Sequence, residues 1–175
     1  MSLWLRLIRV FLAGLAGKSL DLYGLSSLFF KVMPTDLDVN IHMNNARYLA
    51  LMDLGRVDLI VRTGLWRLVW RQRWQPVIGG AVVRFKRPLR PFQRFRLESR
   101  LLSWDEKWIY IEHRVLTDAG LACQAVVRAG FVGAKGLVAP AEVARALGQE
   151  APPPPLPQWA GSWRDLDASM NATAA

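Results

Sequence analysis

The chain has one cysteine, Cys123, and two histidines, His42 and His113, among its 175 residues. A lone cysteine excludes an intramolecular disulfide framework and any Cys-rich zinc site. Long apolar runs are missing too. No stretch approaches the ~18 uncharged apolar residues of a membrane-spanning helix. Acids are scarce, 14 Asp and Glu against 23 Lys and Arg, which leaves a net charge of +9. Lysine is scarce within that surplus, so most of the charge rests on planar guanidinium groups, which suit phosphate. What is plentiful is apolar: 52% of the residues are hydrophobic, too many for a disordered chain. That length fits one domain with extensions.

The extensions are expected at both ends, residues 1–24 and 138–175, around a central domain of residues 25–137. On a helical wheel Ser2, Arg6, Arg9, Ala13 and Gly17 fall on one stripe, with Leu3, Trp4, Leu7, Ile8, Phe11 and Leu15 opposite. That pattern predicts an amphipathic helix with an Arg-bearing polar face. It fits a helix packed on its own domain or a partner subunit, and equally peripheral membrane contact through residues 1–17. A cytoplasmic address is the expectation, because the apolar stretch Val10–Leu15 is short for a signal peptide.

Further along, Leu28–Met33 reads as a strand stopped by Pro34. A polar segment follows, then a long helix over Asn45–Arg62 with Asn44 as its cap and Gly64 at its end. Trp66, Trp70 and Trp74 recur at helical spacing and predict a short second helix with an aromatic stripe for packing. From Pro76 the period changes to two, and four strands are expected: Ala81–Lys86, Phe95–Leu102, Trp108–Leu116 and Leu121–Val132. Asp118-Ala119-Gly120 is a hairpin turn. Pro140–Leu147 is a short helix, and Pro152–Pro157 a stiff linker to a tail that carries Trp159 and Trp163. One strand, one long helix buried on several sides and four antiparallel strands make an α+β fold. A curled sheet wrapped around the helix is expected, with a free edge that a second copy would cover.

Unusual side chains concentrate in Asp36–Tyr48. Asp38, Asn40 and His42 alternate, so an extended backbone would project all three to one side. A carboxylate, an amide and an imidazole there support base or nucleophile chemistry. The helix that starts at Asn45 offers N–H groups to a developing negative charge. Together these are the minimal kit for acyl transfer. The same residues also suit a strand-to-helix loop built on Asx turns, with Asn44 as cap and His42 structural.

The run Asp36-Leu37-Asp38-Val39-Asn40-Ile41-His42-Met43-Asn44-Asn45-Ala46-Arg47-Tyr48 resembles the hotdog-fold acyl thioesterases. It is similar both to the 4-hydroxybenzoyl-CoA thioesterase-like branch and, at every fixed position, to the acyl-ACP thioesterases. The resemblance implies a single hotdog domain, a long central helix wrapped by a curled antiparallel sheet, dimeric or tetrameric. It implies Asp38 as catalytic carboxylate (nucleophile or base for water), Asn40 and His42 as its companions, and the Asn45 N–H as the group that polarises the thioester carbonyl. Asn44, Tyr48 and Met52 would line the substrate, with the acyl chain in a channel along the helix. No cofactor or metal is implied; the CoA or ACP thioester is the substrate. Two departures stand out. Ile41 replaces the glycine of the CoA branch, and the Glu-Cys pair of the acyl-ACP branch is absent from Phe85–Arg90. Cys123 reads as a buried strand thiol, His113 as structural and without a companion. Asp53 and Asp58 read as helix-face or ion-paired carboxylates, with the second catalytic carboxylate that some hotdog enzymes carry on the helix as the alternative.

Eleven basic residues lie between Arg62 and Arg100 against the single acid Glu98. Arg84, Lys86, Arg87 and Arg90 among them are expected to meet the phosphates of CoA or the acidic surface of an acyl carrier protein. No recognisable module organises them for nucleic acid. Hydrolysis of an acyl-CoA or acyl-ACP thioester is thus the expected activity. A non-catalytic acyl-thioester or lipid binder at a membrane surface is the alternative.

Overall fold

The computed structural model describes residues 2–173. Helix α1 (Leu3–Ala16) leads to strand β1 (Ser26–Lys31), a 3-10 turn at Pro34–Asp36 and the central helix α2 (Asn45–Arg62). Helix α3 (Leu65–Gln72) is followed by β2 (Gln75–Phe85), β3 (Arg94–Trp104), β4 (Ile109–Thr117), β5 (Gly120–Gly133) and β6 (Gly136–Val138), then α4 (Pro140–Ala146) and α5 (Gln158–Thr173). The six strands form one antiparallel sheet in the order β1-β3-β4-β5-β2, with β6 on β5. This is the long helix on a curled antiparallel sheet that the sequence predicts. The expected β2 was too short at its start, because Pro76, Gly79 and Gly80 mask a strand whose register shifts at that glycine pair.

Helix α2 is buried on several sides, as its apolar pattern predicts. Leu51, Met52, Leu54, Leu59 and Val61 are all buried. One side packs on the sheet, where Gly55 lets the helix approach Ser99: a Cβ there would lie 2.2 Å from the Ser99 hydroxyl. Another side meets α1, where Gly14 admits Val61. At its C-terminal end Gly64 takes the left-handed conformation, φ 77°, that glycine adopts at no steric cost.

Helix α1 is amphipathic, as expected, and only part of its apolar side is used for packing on the domain. Its buried residues are Arg6, Val10 and Gly14, and Leu3 and Leu7 pack partly buried against the core, whereas Arg9 and the apolar residues Trp4, Leu5, Ile8, Phe11, Leu12 and Leu15 face outward. Arg6 is sealed from water and donates to Asp36 at 2.6 and 3.3 Å. Burial of an arginine is tolerable because the guanidinium meets a carboxylate that is itself buried.

The C-terminal tail beyond the proline run, to which the sequence assigns no element, is the helix α5. Its α5 docks on the sheet face opposite α2: Trp163 stacks 4.2 Å from the Arg128 guanidinium, and Asp167 accepts from Arg128 at 2.5 Å. Of the tryptophan stripe, Trp74 is buried against Phe131, whereas Trp70 is exposed.

Candidate active site

The segment before α2 is a closed turn, not the extended run that the Asp38-Asn40-His42 alternation suggests. Leu37 and Met43 bridge its two ends, and the Asp38 N–H donates to the His42 carbonyl at 2.9 Å. The Asp38 carboxylate accepts from the N–H groups of Asn40 (2.9 Å) and His42 (3.3 Å) across the turn. The three side chains are therefore disposed around a tight loop; Asp38 and His42 are half-buried and Asn40 is exposed. The turn closes because Ile41 sits at φ 60°, a left-handed conformation that a β-branched residue rarely takes. Position 41, where the resemblance to the CoA branch would place a glycine, thus has a backbone conformation that favours glycine.

Two neighbours hold this loop. Asp36 is buried and accepts from Arg6 and from the Met33 N–H (2.9 Å), and its carbonyl accepts the Asn44 N–H (2.8 Å). Leu89 accepts the Met43 N–H at 2.9 Å, which places Arg87 and Arg90, both exposed, beside the motif. At the start of α2, Asn44 Oδ1 caps the Ala46 N–H (2.8 Å) and the Asn44 carbonyl takes the Arg47 N–H (2.9 Å). Among the described residues the Asn45 N–H, next to both, has no hydrogen-bond partner, as is usual for the first N–H of a helix.

Other expected substrate residues fall elsewhere. Tyr48 and Met52 belong to the core, 2% and 0% exposed, and do not line the apolar cavity. Phe85 meets the Tyr48 ring on the α2 side of the sheet, so its neighbour Arg84 projects from the opposite face. Lys86 is exposed just beyond β2. The basic stretch is not one surface. Arg62, Arg96 and Arg100 pair with Asp58, Glu98 and Glu112. Arg67 and Arg71 lie on α3, beyond the far end of α2 from the motif.

The cavity escapes sequence reasoning, because separate elements build it. It holds about 240 Å³ and is lined by Asp53, Arg56 and Ile60 of α2, Ile111 of β4, Ala129 of β5 and Val143 of α4, among others. It begins about 12 Å along the helix from Asn45, eight residues at ~1.5 Å each.

Behind it stands a polar cluster that gives His113 the companions it lacks in the sequence. His113 Nδ1 lies 2.8 Å from Ser99 Oγ, and Arg56 Nη1 lies 3.2 Å from Nε2. Arginine only donates, so Nε2 accepts and the ring's single proton is on Nδ1, directed at Ser99. Burial, and then the Arg56 cation, hold this imidazole well below its usual pKa. Burial lowers Arg56 itself to about 10. Asp53 takes the other arm of Arg56, and Asp58 accepts from Ser26 at 2.7 Å, so both helix carboxylates are partnered. Cys123 is buried and its thiol is pushed up to about 12. Among the described residues no group of three or more His, Cys, Asp or Glu could hold a metal ion.

A family model, that of the thioesterase-like superfamily, matches residues 32–163, three quarters of the chain. The chain belongs to the thioesterase-like superfamily. Among its relatives, protein THEM6 of Xenopus laevis is 40% identical over 83 residues, which cover 47% of this chain and 40% of that one. The probable thioesterase YBR096W of Saccharomyces cerevisiae is 31% identical over 100 residues, covering 56% and 43%. The chain thus spans about two fifths of the length of these curated relatives. In three dimensions this superfamily member resembles the YbaW probable thioesterase of Escherichia coli, with a TM-score of 0.64 and 21% identity over 69% of this chain and 95% of that one. The BH1999 gentisyl-coenzyme A thioesterase gives 0.61 at 16%, over 69% and 99%. The shared fold is the hotdog.

Proposed function

We propose that this chain is an acyl thioesterase that hydrolyses the thioester of an acyl-CoA. The observation that carries the reading is the Asp38 turn abutting the open N–H of Asn45 at the start of α2. In this reading the thioester carbonyl lies at Asn45, where the N–H and the helix dipole stabilise the oxyanion. Asp38 attacks that carbon or takes the proton from an attacking water, with Asn40 and His42 orienting the reactants. Collapse of the tetrahedral intermediate expels the thiolate. The water route gives the free acid directly, and the nucleophilic route leaves an Asp38 acyl anhydride that a water molecule then hydrolyses to the acid and free Asp38.

The acyl chain occupies the cavity beyond Asp53, which favours chains long enough to cover about 12 Å over acetyl. Arg87 and Arg90, tied to the motif through Leu89, take the CoA phosphates. CoA rather than a carrier protein is favoured because these two guanidiniums flank the loop itself, while Arg67 and Arg71 lie on α3 and Arg84 projects from the opposite sheet face. A homodimer is part of the proposal: β2 is an eleven-residue edge strand with Ile78, Val82 and Phe85 exposed, and pairing of two copies would cover it.

Thiol release from a panel of acyl-CoAs tests the reading, with wild type beside Asp38→Asn. Release from medium and long chains is expected, falling about 10²–10⁴-fold in the variant. If wild type releases no thiol above background at any chain length, the hydrolase reading fails.

A further inference from the structure

Six apolar side chains of α1 face solvent: Trp4 (74% exposed), Leu5, Ile8, Phe11, Leu12 and Leu15. They fall within an arc of about 120° on the wheel, at ~100° per residue. The orientation is not incidental. Arg6 is locked into the Asp36 carboxylate at 2.6 Å and Gly14 fits closely against Val61, so the helix cannot roll its apolar side inward without stranding a buried charge. An exposed apolar patch of this size marks an interaction surface.

The flank of this patch is cationic. Arg9 stands at one edge of the apolar arc and lines an open groove with Phe29, Lys31, Arg94 and Arg96. Asp118 is the groove's one acid. Glu98 neutralises Arg96, which leaves Arg9, Lys31 and Arg94 to set the sign. Two more aromatic rings are exposed on this side, Phe29 and Phe92, the latter under the Lys31 ammonium at 5.2 Å.

We infer that α1 and this groove form a docking surface for an anionic lipid bilayer. Charge chooses the occupant. A second copy of this chain, itself at +9, would set the same cations against these across a two-fold contact, whereas acidic headgroups complement them. Fourteen residues span only about 21 Å, so the helix lies in the plane of the interface with its apolar side among the acyl chains. No helix among the described residues is long and apolar enough to cross a membrane. Arg6 links the docked helix directly to Asp36, two residues before Asp38. Docking therefore holds the motif loop at the lipid surface.

Vesicle co-sedimentation of the full chain tests this without reference to hydrolysis, so it can fail while the thioesterase reading stands. The probes are phosphatidylcholine vesicles alone and the same vesicles mixed with phosphatidylglycerol. Binding to the mixed vesicles and little to phosphatidylcholine alone is expected. Charge reversal of Arg9, Lys31 and Arg94 to Glu should weaken binding at least about fivefold per residue, from ~1 kcal/mol for each cation near the surface. The triple substitution Trp4→Ser, Ile8→Ser and Leu12→Ser should weaken it by at least about tenfold, since each side chain loses apolar burial. All six positions are on the surface, so unchanged melting temperatures confirm that the variants fold. Equal sedimentation of wild type and the triple variant overturns the inference. So does a fall in oligomeric state of the triple variant, by light scattering, without any vesicle binding by wild type: that result assigns the face to a second copy.

Discussion

Ile41 offers a test of the motif loop that turns on a sign and not only on a size. It stands at φ 60° and is 65% exposed, so its side chain contributes little burial while its backbone takes the left-handed conformation. For an L-residue that conformation costs about 1–2 kcal/mol, which glycine escapes. Glycine's added freedom in the unfolded chain costs about 0.5–1 kcal/mol relative to alanine. Comparing Ile41→Gly with Ile41→Ala isolates these two terms, because both variants remove nearly the same side chain. Glycine should come out ahead by roughly 0.5–1 kcal/mol, or about 1–4 °C in a chain of this length. Ile41→Asn, which also tolerates the left-handed region, should match it. Val39, in the same loop, is 96% exposed and not at positive φ, so there the order reverses: alanine ahead of glycine by about 0.4–1 kcal/mol. Differential scanning calorimetry at one pH suffices. Alanine at least as stable as glycine at position 41 would refute a left-handed turn there, and with it the loop geometry that places Asp38.

Two further outcomes follow from buried groups. His113 is neutral in the folded protein and regains its ordinary pKa near 6.5 on unfolding. The unfolded chain then binds the extra proton below that pH, so the stability this group contributes is fully present above about 6.5 and is lost as pH falls. Urea titrations should show a loss of about 1.2 kcal/mol between pH 7 and pH 5.5 from this residue. Its ring resonances should not titrate over that range; titration of His113 near 6.5 in the folded protein would contradict the Arg56–His113–Ser99 arrangement. At Gly55, the usual gain of ~1 kcal/mol from alanine in a helix should invert. The new Cβ, 2.2 Å from Ser99 Oγ, must push aside the hydroxyl that His113 needs, at about 1–3 kcal/mol. A thermal melt above wild type for Gly55→Ala would show that α2 does not approach the sheet there.

Local signals made the fold legible. The helix over Asn45–Arg62 follows from its cap, its apolar spacing and Gly64, and β3 to β5 follow from alternation and the turns between them. Periodicity was silent about which face of α1 is buried. The rule that the apolar side goes inward holds there for Leu3, Leu7 and Val10 and fails for the rest, because one carboxylate, Asp36, makes an arginine the better buried residue. The stripe Arg6, Val10, Gly14, with a small residue for close helix contact, was the available signal. The alternation of Asp38, Asn40 and His42 misled for a related reason: period two means a shared face only in an extended chain, and Ile41 at positive φ ends the extension. The apolar cavity and the partners of His113 join residues from α2, β3, β4 and β5, and no spacing along the chain encodes them.

The fixed residues of the motif divide by what they do. Asp36 is sealed against Arg6 and the Met33 N–H, Asn44 caps α2, and Tyr48 is core. These three build the loop and its junction with the helix. Asp38, Asn40 and His42 remain on the turn, half-buried or exposed, and carry the proposed chemistry. Much of the motif's length therefore records architecture, and a chain could keep that part while losing the chemistry. Substitution of the two aspartates separates the roles. Asp36→Asn leaves the Arg6 charge without its counter-ion in the interior, which costs about 3–5 kcal/mol and lowers the melting temperature by at least about 6 °C. Asp38→Asn keeps an oxygen that can accept the Asn40 N–H, so the turn survives and stability changes by less than about 1 kcal/mol. Its effect should instead fall on thiol release. Equal stability losses for the two variants, measured by the same melt, would mean that Asp38 is as structural as Asp36 and would remove the carboxylate from the proposed chemistry.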